Sequence, residues 1–150
     1  MYLVHESADG RRRVLAREVE TADSVVTQVK GLMGRSTVPD EYALVFRDVS
    51  DPVARAVEGL PGPLGELTDD DRHGVHMLFV RTPLDVLWLE DGEVVQVRTL
   101  PPWVGTGSAR ADTLVEMAGG AADGVEPGDR VLLRESVGGG ALGGWRRRHR

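Results

Sequence analysis

The chain has 150 residues, no cysteine and a formal net charge of −6. That length fits one domain, which at this size buries roughly 68–70% of the surface its unfolded chain exposes. Without cysteine there is no disulfide, thiol nucleophile or thiolate metal site.

Taken in chain order, Tyr2–Glu6 and Arg13–Glu20 read as β-strands around Ala8-Asp9-Gly10, where Asp-Gly suits a tight hairpin. Thr21 is placed as a helix N-cap, with Asp23 in the first turn facing the positive helix end. Val25, Val26, Val29, Leu32 and Met33 follow at helical spacing, and Gly34 stops them, so a helix is expected over about 22–33. Tyr42–Arg47 is a short apolar strand. Residues 48–73, broken by Pro52, Pro61, Pro63 and several glycines, read as a long surface loop with a helical turn or two near Val53–Glu58.

Leu84–Glu90 and Glu93–Leu100 flank Asp91-Gly92, the strongest short hairpin signature. A plain two-residue loop pairs Glu90 with Glu93, Trp88 with Val95, Val86 with Val97 and Asp85 with Arg98. It places Val86, Trp88, Val95 and Val97 on an apolar core face. Asp85, Leu87, Leu89, Val94, Gln96 and Arg98 form the other face, polar at its Asp85 and Arg98 end. Thr113–Met117 is a further strand, Gly119–Gly124 a turn, and Pro127-Gly128 a type II turn with glycine at its positive-φ position. Arg130–Glu135 is the last strand, closing a domain over 1–137; residues 138–150 form a glycine-rich, basic tail expected to be disordered.

No run approaches the ~20 apolar residues of a membrane helix. The opening Met1-Tyr2-Leu3-Val4-His5-Glu6 lacks the order of a signal peptide, so a soluble, cytoplasmic location is expected. Setting aside Arg146, Arg147, Arg148 and Arg150 leaves a body near −10, which argues against nucleic acid on the folded domain. Lysine occurs only at Lys30, and isoleucine and asparagine are absent, a pattern consistent with a GC-rich and salt-loving source.

Three stretches together carry a resemblance: Gly31-Leu32-Met33-Gly34-Arg35; His76-Met77-Leu78-Phe79-Val80-Arg81-Thr82-Pro83-Leu84-Asp85-Val86; and Leu114-Val115-Glu116-Met117-Ala118-Gly119-Gly120 through Gly124-Val125-Glu126-Pro127-Gly128-Asp129. In this order they resemble the domain of unknown function 192 family of bacteria and archaea, across about residues 20–135. The resemblance implies a mainly β fold of the α+β kind, a compact antiparallel β-barrel-like sheet with one or two short helices. It implies no activity.

The candidate site residues are polar groups near these stretches. Arg35 either caps the last helix carbonyls or clamps a carboxylate or phosphate. His73 and His76 are three apart, which an extended segment sends to opposite faces; with no third ligand, no metal site is expected. Asp85 either accepts hydrogen bonds from loop amides or joins Arg81, Arg98 and His76 as a poised carboxylate. Glu116 stands alone in an apolar run, and Trp103 lies in a Pro-Pro-Trp loop where its ring either covers the core edge or stacks on a ligand. Gly105, Gly107 and Ser108 make neither a phosphate loop nor a nucleophile elbow.

The leading expectation is a non-catalytic binding or accessory domain holding a small molecule or protein through Arg35, Arg81, Arg98, Trp103 and Glu116, with no cofactor. The alternatives are an interaction or scaffold domain using its basic tail, and a hydrolase or transferase with His76, Asp85 and Arg35 at its site.

Overall fold

The computed structural model describes residues 1–22, Leu32, Arg35, 37–47, 72–77 and 80–136. The tail, nearly all of the expected helix and all but the end of the expected long loop lie outside these residues. Among the described residues there are ten strands and no helix.

β1 (Tyr2–Glu6) and β2 (Arg12–Ala16) form the first hairpin, with Gly10 at φ 86°, a left-handed conformation that glycine adopts without steric cost. The expected second strand is divided. It breaks at Arg17, where the amides of Arg17 and Glu18 both donate to the Glu41 carbonyl, and resumes as β3 (Glu18–Thr21). β4 (Tyr42–Arg47), β6 (Leu84–Glu90), β7 (Glu93–Leu100), β9 (Thr113–Ala118) and β10 (Arg130–Arg134) lie where the sequence places strands. β5 (Arg72–His76) is extended, as expected for the segment with His73 and His76, whereas β8 (Thr106–Arg110) was not expected as a strand; the two pair with each other as a separate two-stranded sheet.

The main sheet has eight strands in the order β2-β1-β10-β7-β6-β9-β4-β3. It is mixed rather than wholly antiparallel, because β3 and β4 run parallel. Its two outermost strands, β2 and β3, are consecutive in the chain and joined by Arg17 alone.

Both faces of this sheet are covered, so β6 is buried from Leu84 to Leu89. One face carries an inner core that includes Leu3, Leu15, Val45, Leu87, Leu89, Val94, Val115 and Met117. The opposite face carries an outer layer: Tyr42, Leu44, Phe46, Leu84, Val86, Trp88, Leu100 and Leu114, capped by Leu32, Val75, Met77 and Val80.

The hairpin turn is as the sequence predicts, with Asp91 at φ 49° and Gly92 at φ 78°. Its register is not. Glu90 pairs with Glu93 and Leu89 with Val94, but Trp88 then faces Gln96, Val86 faces Arg98 and Asp85 faces Thr99. A bulge in β7 at Val95 inserts one residue, which stands 37% exposed instead of joining the core. The insertion reverses the alternation of β7, allowing Val94 and Val97 both to pack on the inner core.

Candidate functional site

Asp85 is displaced by that bulge from the partner expected for it. It is 2% exposed and accepts three hydrogen bonds: from Thr99 Oγ1 at 2.7 Å, from the Gly120 amide at 3.0 Å and from the Ala122 amide at 2.9 Å. These bonds anchor the 119–124 turn to β6 on the inner face of the sheet. Arg98 is exposed on the other side, its guanidinium 3.7 Å from where a β-carbon on Gly107 would stand.

Glu116 has the opposite environment. On β9 it lies between Leu44 of β4 and Val86 of β6, facing the outer apolar layer, and is 7% exposed. Burial pushes its carboxyl up to about 7; a hydrogen bond with the backbone of Leu32 works weakly the other way. A carboxyl that takes up or releases its proton near neutrality is a functional-site signature when geometry supports it. The supporting geometry is convergence. Leu32 from the first motif stretch, Met77, Val80, Leu84 and Val86 from the second, and Leu114 from the third all belong to the layer that Glu116 faces.

Arg35 is tied to the edge of this layer. Its amide donates to the Leu32 carbonyl at 3.2 Å, its guanidinium stands 3.5 Å from Glu20 Oε2, and its Cζ lies 5.0 Å from the centre of the Tyr42 ring. The Tyr42 hydroxyl donates to the same Glu20 oxygen, and its pKa is pushed up to about 12, first by burial and then by that bond.

Trp103 borders the layer from the other end. It is 49% exposed, has a left-handed backbone at φ 66°, and donates its amide to the carbonyls of Met77 and Val80. Positive φ in a bulky residue persists only where its surroundings enforce it; here the Met77 and Val80 carbonyls hold the loop. Arg81 is exposed at the approach to β6.

His76 is the last residue of β5, which is extended across both histidines. β5 lies over the outer layer, to which it contributes Val75. The Asp85 carboxylate points to the inner face, so the sheet separates it from the strand that carries His76.

A buried His–carboxylate pair does exist, at positions the sequence did not single out. His5 Nε2 lies 2.7 Å from Asp129 Oδ2, and the carboxylate also accepts the amides of Ala8 and Glu126, each at 3.0 Å. The other ring nitrogen of His5 is 3.4 Å from Arg13 Nε, a donor. This chain of contacts fastens β1, β2 and the turn before β10. Arg13 occupies the place where a nucleophile would stand in a catalytic triad. Alternation along β1, which buries His5 with Leu3, was the one signal for it.

A family model described as an uncharacterized ACR, DUF192, matches residues 4–133. The chain belongs to the DUF192 family. No curated protein matches this DUF192 chain. Its fold is similar to that of a protein of unknown function from Novosphingobium aromaticivorans DSM 12444, with a TM-score of 0.66 and 24% identity over 89% of this chain and 84% of that one. A second similar fold is that of a proposed transcription regulator from Sinorhizobium meliloti 1021, with a TM-score of 0.65 and 20% identity over 87% of this chain and 91% of that one.

Proposed function

We propose that this DUF192 chain is a non-catalytic binding domain whose site is the outer layer around Glu116. The observation that carries the reading is the meeting of all three motif stretches beside one buried carboxyl that titrates near 7. Its ligand is a small molecule with an apolar body and one polar group able to exchange hydrogen bonds with that carboxyl. Leu32, whose backbone bonds Glu116, closes the layer, and Arg35 and Trp103 stand at its two ends. Arg81 and Arg98, exposed on neighbouring segments, supply positive charge nearby. Against a hydrolytic role, Asp85 is committed to three donors and His5 has an arginine at its free nitrogen.

The domain extends over 1–137 in this reading, with 138–150 as an appendage. The sheet curls toward a barrel, supported by the single-residue link between its outermost strands. A cytoplasmic location and an acidic, salt-tolerant surface complete the proposal.

A thermal-shift screen of small metabolites against the wild type and Glu116→Gln tests it. The expected result is a compound that raises the wild-type Tm and loses that effect in the variant. A screen in which every stabilising compound acts equally on both proteins overturns the site.

A further inference from the structure

The opposite end of the sheet holds a second feature, independent of Glu116. β10 outruns the β6–β7 hairpin. Its contacts with β7 end at the turn, where the Val131 amide donates to the Gly92 carbonyl at 2.9 Å, and Arg130–Glu93 is the one paired position. Beyond that point Leu132, Leu133 and Arg134 continue with β1 as their one strand partner among the described residues. Backbone groups two residues apart point the same way along a strand, so Leu133 directs its N–H and C=O away from β1, as Val131 does. No hydrogen bond from the described residues meets them.

Beside this unpaired edge opens a cleft of about 420 Å³. Its floor is apolar, made by Leu3, Val45, Leu89, Val115 and Val131, all buried. At its rim stands Arg47, the exposed last residue of β4. Asp112, also at the rim, is already engaged: Oδ2 accepts the Asp91 amide at 2.7 Å and Oδ1 accepts the Thr113 hydroxyl at 2.8 Å. Asp91 and Asp112 both put negative charge at the mouth, so an occupant carries no acidic group other than one that meets Arg47.

A strand edge, an apolar floor and a guanidinium are the three elements that receive an extended peptide ending in a free carboxylate. We infer that this cleft binds the apolar carboxyl-terminal end of a polypeptide, which adds beside β10 at Leu133, places side chains on the floor and gives its terminal carboxylate to Arg47.

The test is an amide-resolved NMR titration of the full chain with acetyl-Val-Leu-Val as the free acid, its carboxyl-terminal amide, and isovalerate. The free acid is expected to shift the Val131 and Leu133 amides, with binding weakened about tenfold by amidation and equally by Arg47→Gln, as loss of one charge-assisted contact implies. Arg47 is exposed, so the variant should keep the wild-type Tm. Equal binding of acid and amide, isovalerate binding as tightly as the peptide, or no shift at Leu133 at millimolar peptide would each overturn the inference.

Discussion

The indole of Trp88 lies so close to Gly107 that a β-carbon on that glycine would stand 2.8 Å from the ring. The largest fully buried side chain of the outer layer therefore depends on the absence of a side chain on β8. Gly107→Ala must push the ring or the strand aside, and overpacking of this kind costs about 1–3 kcal/mol. Urea unfolding should show that loss, with a shifted tryptophan emission in the folded state.

Asp85→Ala should cost more. It leaves the buried Ala122 amide without its acceptor, which costs about 1–3 kcal/mol, and also removes the bonds from the Gly120 amide and the Thr99 hydroxyl, which belong to exposed residues. Hydrogen exchange should accelerate first at Gly120 and Ala122. Unchanged protection there would contradict the anchoring role.

Glu116 makes stability depend on pH. An ordinary glutamate titrates at 4.5, and burial raises this one to about 7. Between those values the folded chain keeps a proton that the unfolded chain has released, so stability falls as pH rises through the interval. The gap corresponds to about 3 kcal/mol. Glu116→Gln should remove this slope and be the more stable protein at pH 8, as measured by unfolding at several pH values. A variant with the wild-type slope would show that another group is responsible.

The Asp129 carboxyl carries the reverse dependence. Burial pushes it up, but hydrogen bonds from His5 and from the Glu126 and Ala8 amides together hold it below its ordinary 3.8. Its contribution is complete above that value and is lost as pH falls through the lower folded one. Asp129→Asn should weaken the fold at pH 7 by about 1–3 kcal/mol, through poorly matched donors, and flatten the acid limb of the unfolding profile.

The hairpin at Asp91-Gly92 was legible because two residues with left-handed backbones leave little freedom in a turn. The bulge was not. Val94 and Val95 are the same residue type, so nothing in the pattern says which one turns inward, and the register beyond them depends on that choice. β8 was missed for a related reason. Thr106-Gly107-Ser108-Ala109-Arg110 lacks the apolar alternation of a strand, because Gly107 must yield space to Trp88.

Among the site candidates, hydrogen bonding of Asp85 to loop amides was an explicit alternative in the sequence, and the amides of Gly120 and Ala122 are its partners. Glu116 stood out as a lone charge in an apolar run, but its neighbours Leu32 and Val80 come from distant segments that only the folded sheet assembles. The cleft beside Leu133 could not be read from sequence, since it arises from where one strand ends relative to another.

β1 and β10 are neighbours in the sheet although they lie near opposite ends of the chain. β1 thus waits for the synthesis of every strand up to β10 before one of its two sides is covered. Until then, Tyr2–Glu6 has β2 as its sheet partner and Leu3 lacks the cover that Val131 helps provide. Pairing across so long a separation favours slow closure, so the interval between synthesis and the final seal is when this chain is most open to unwanted strand partners.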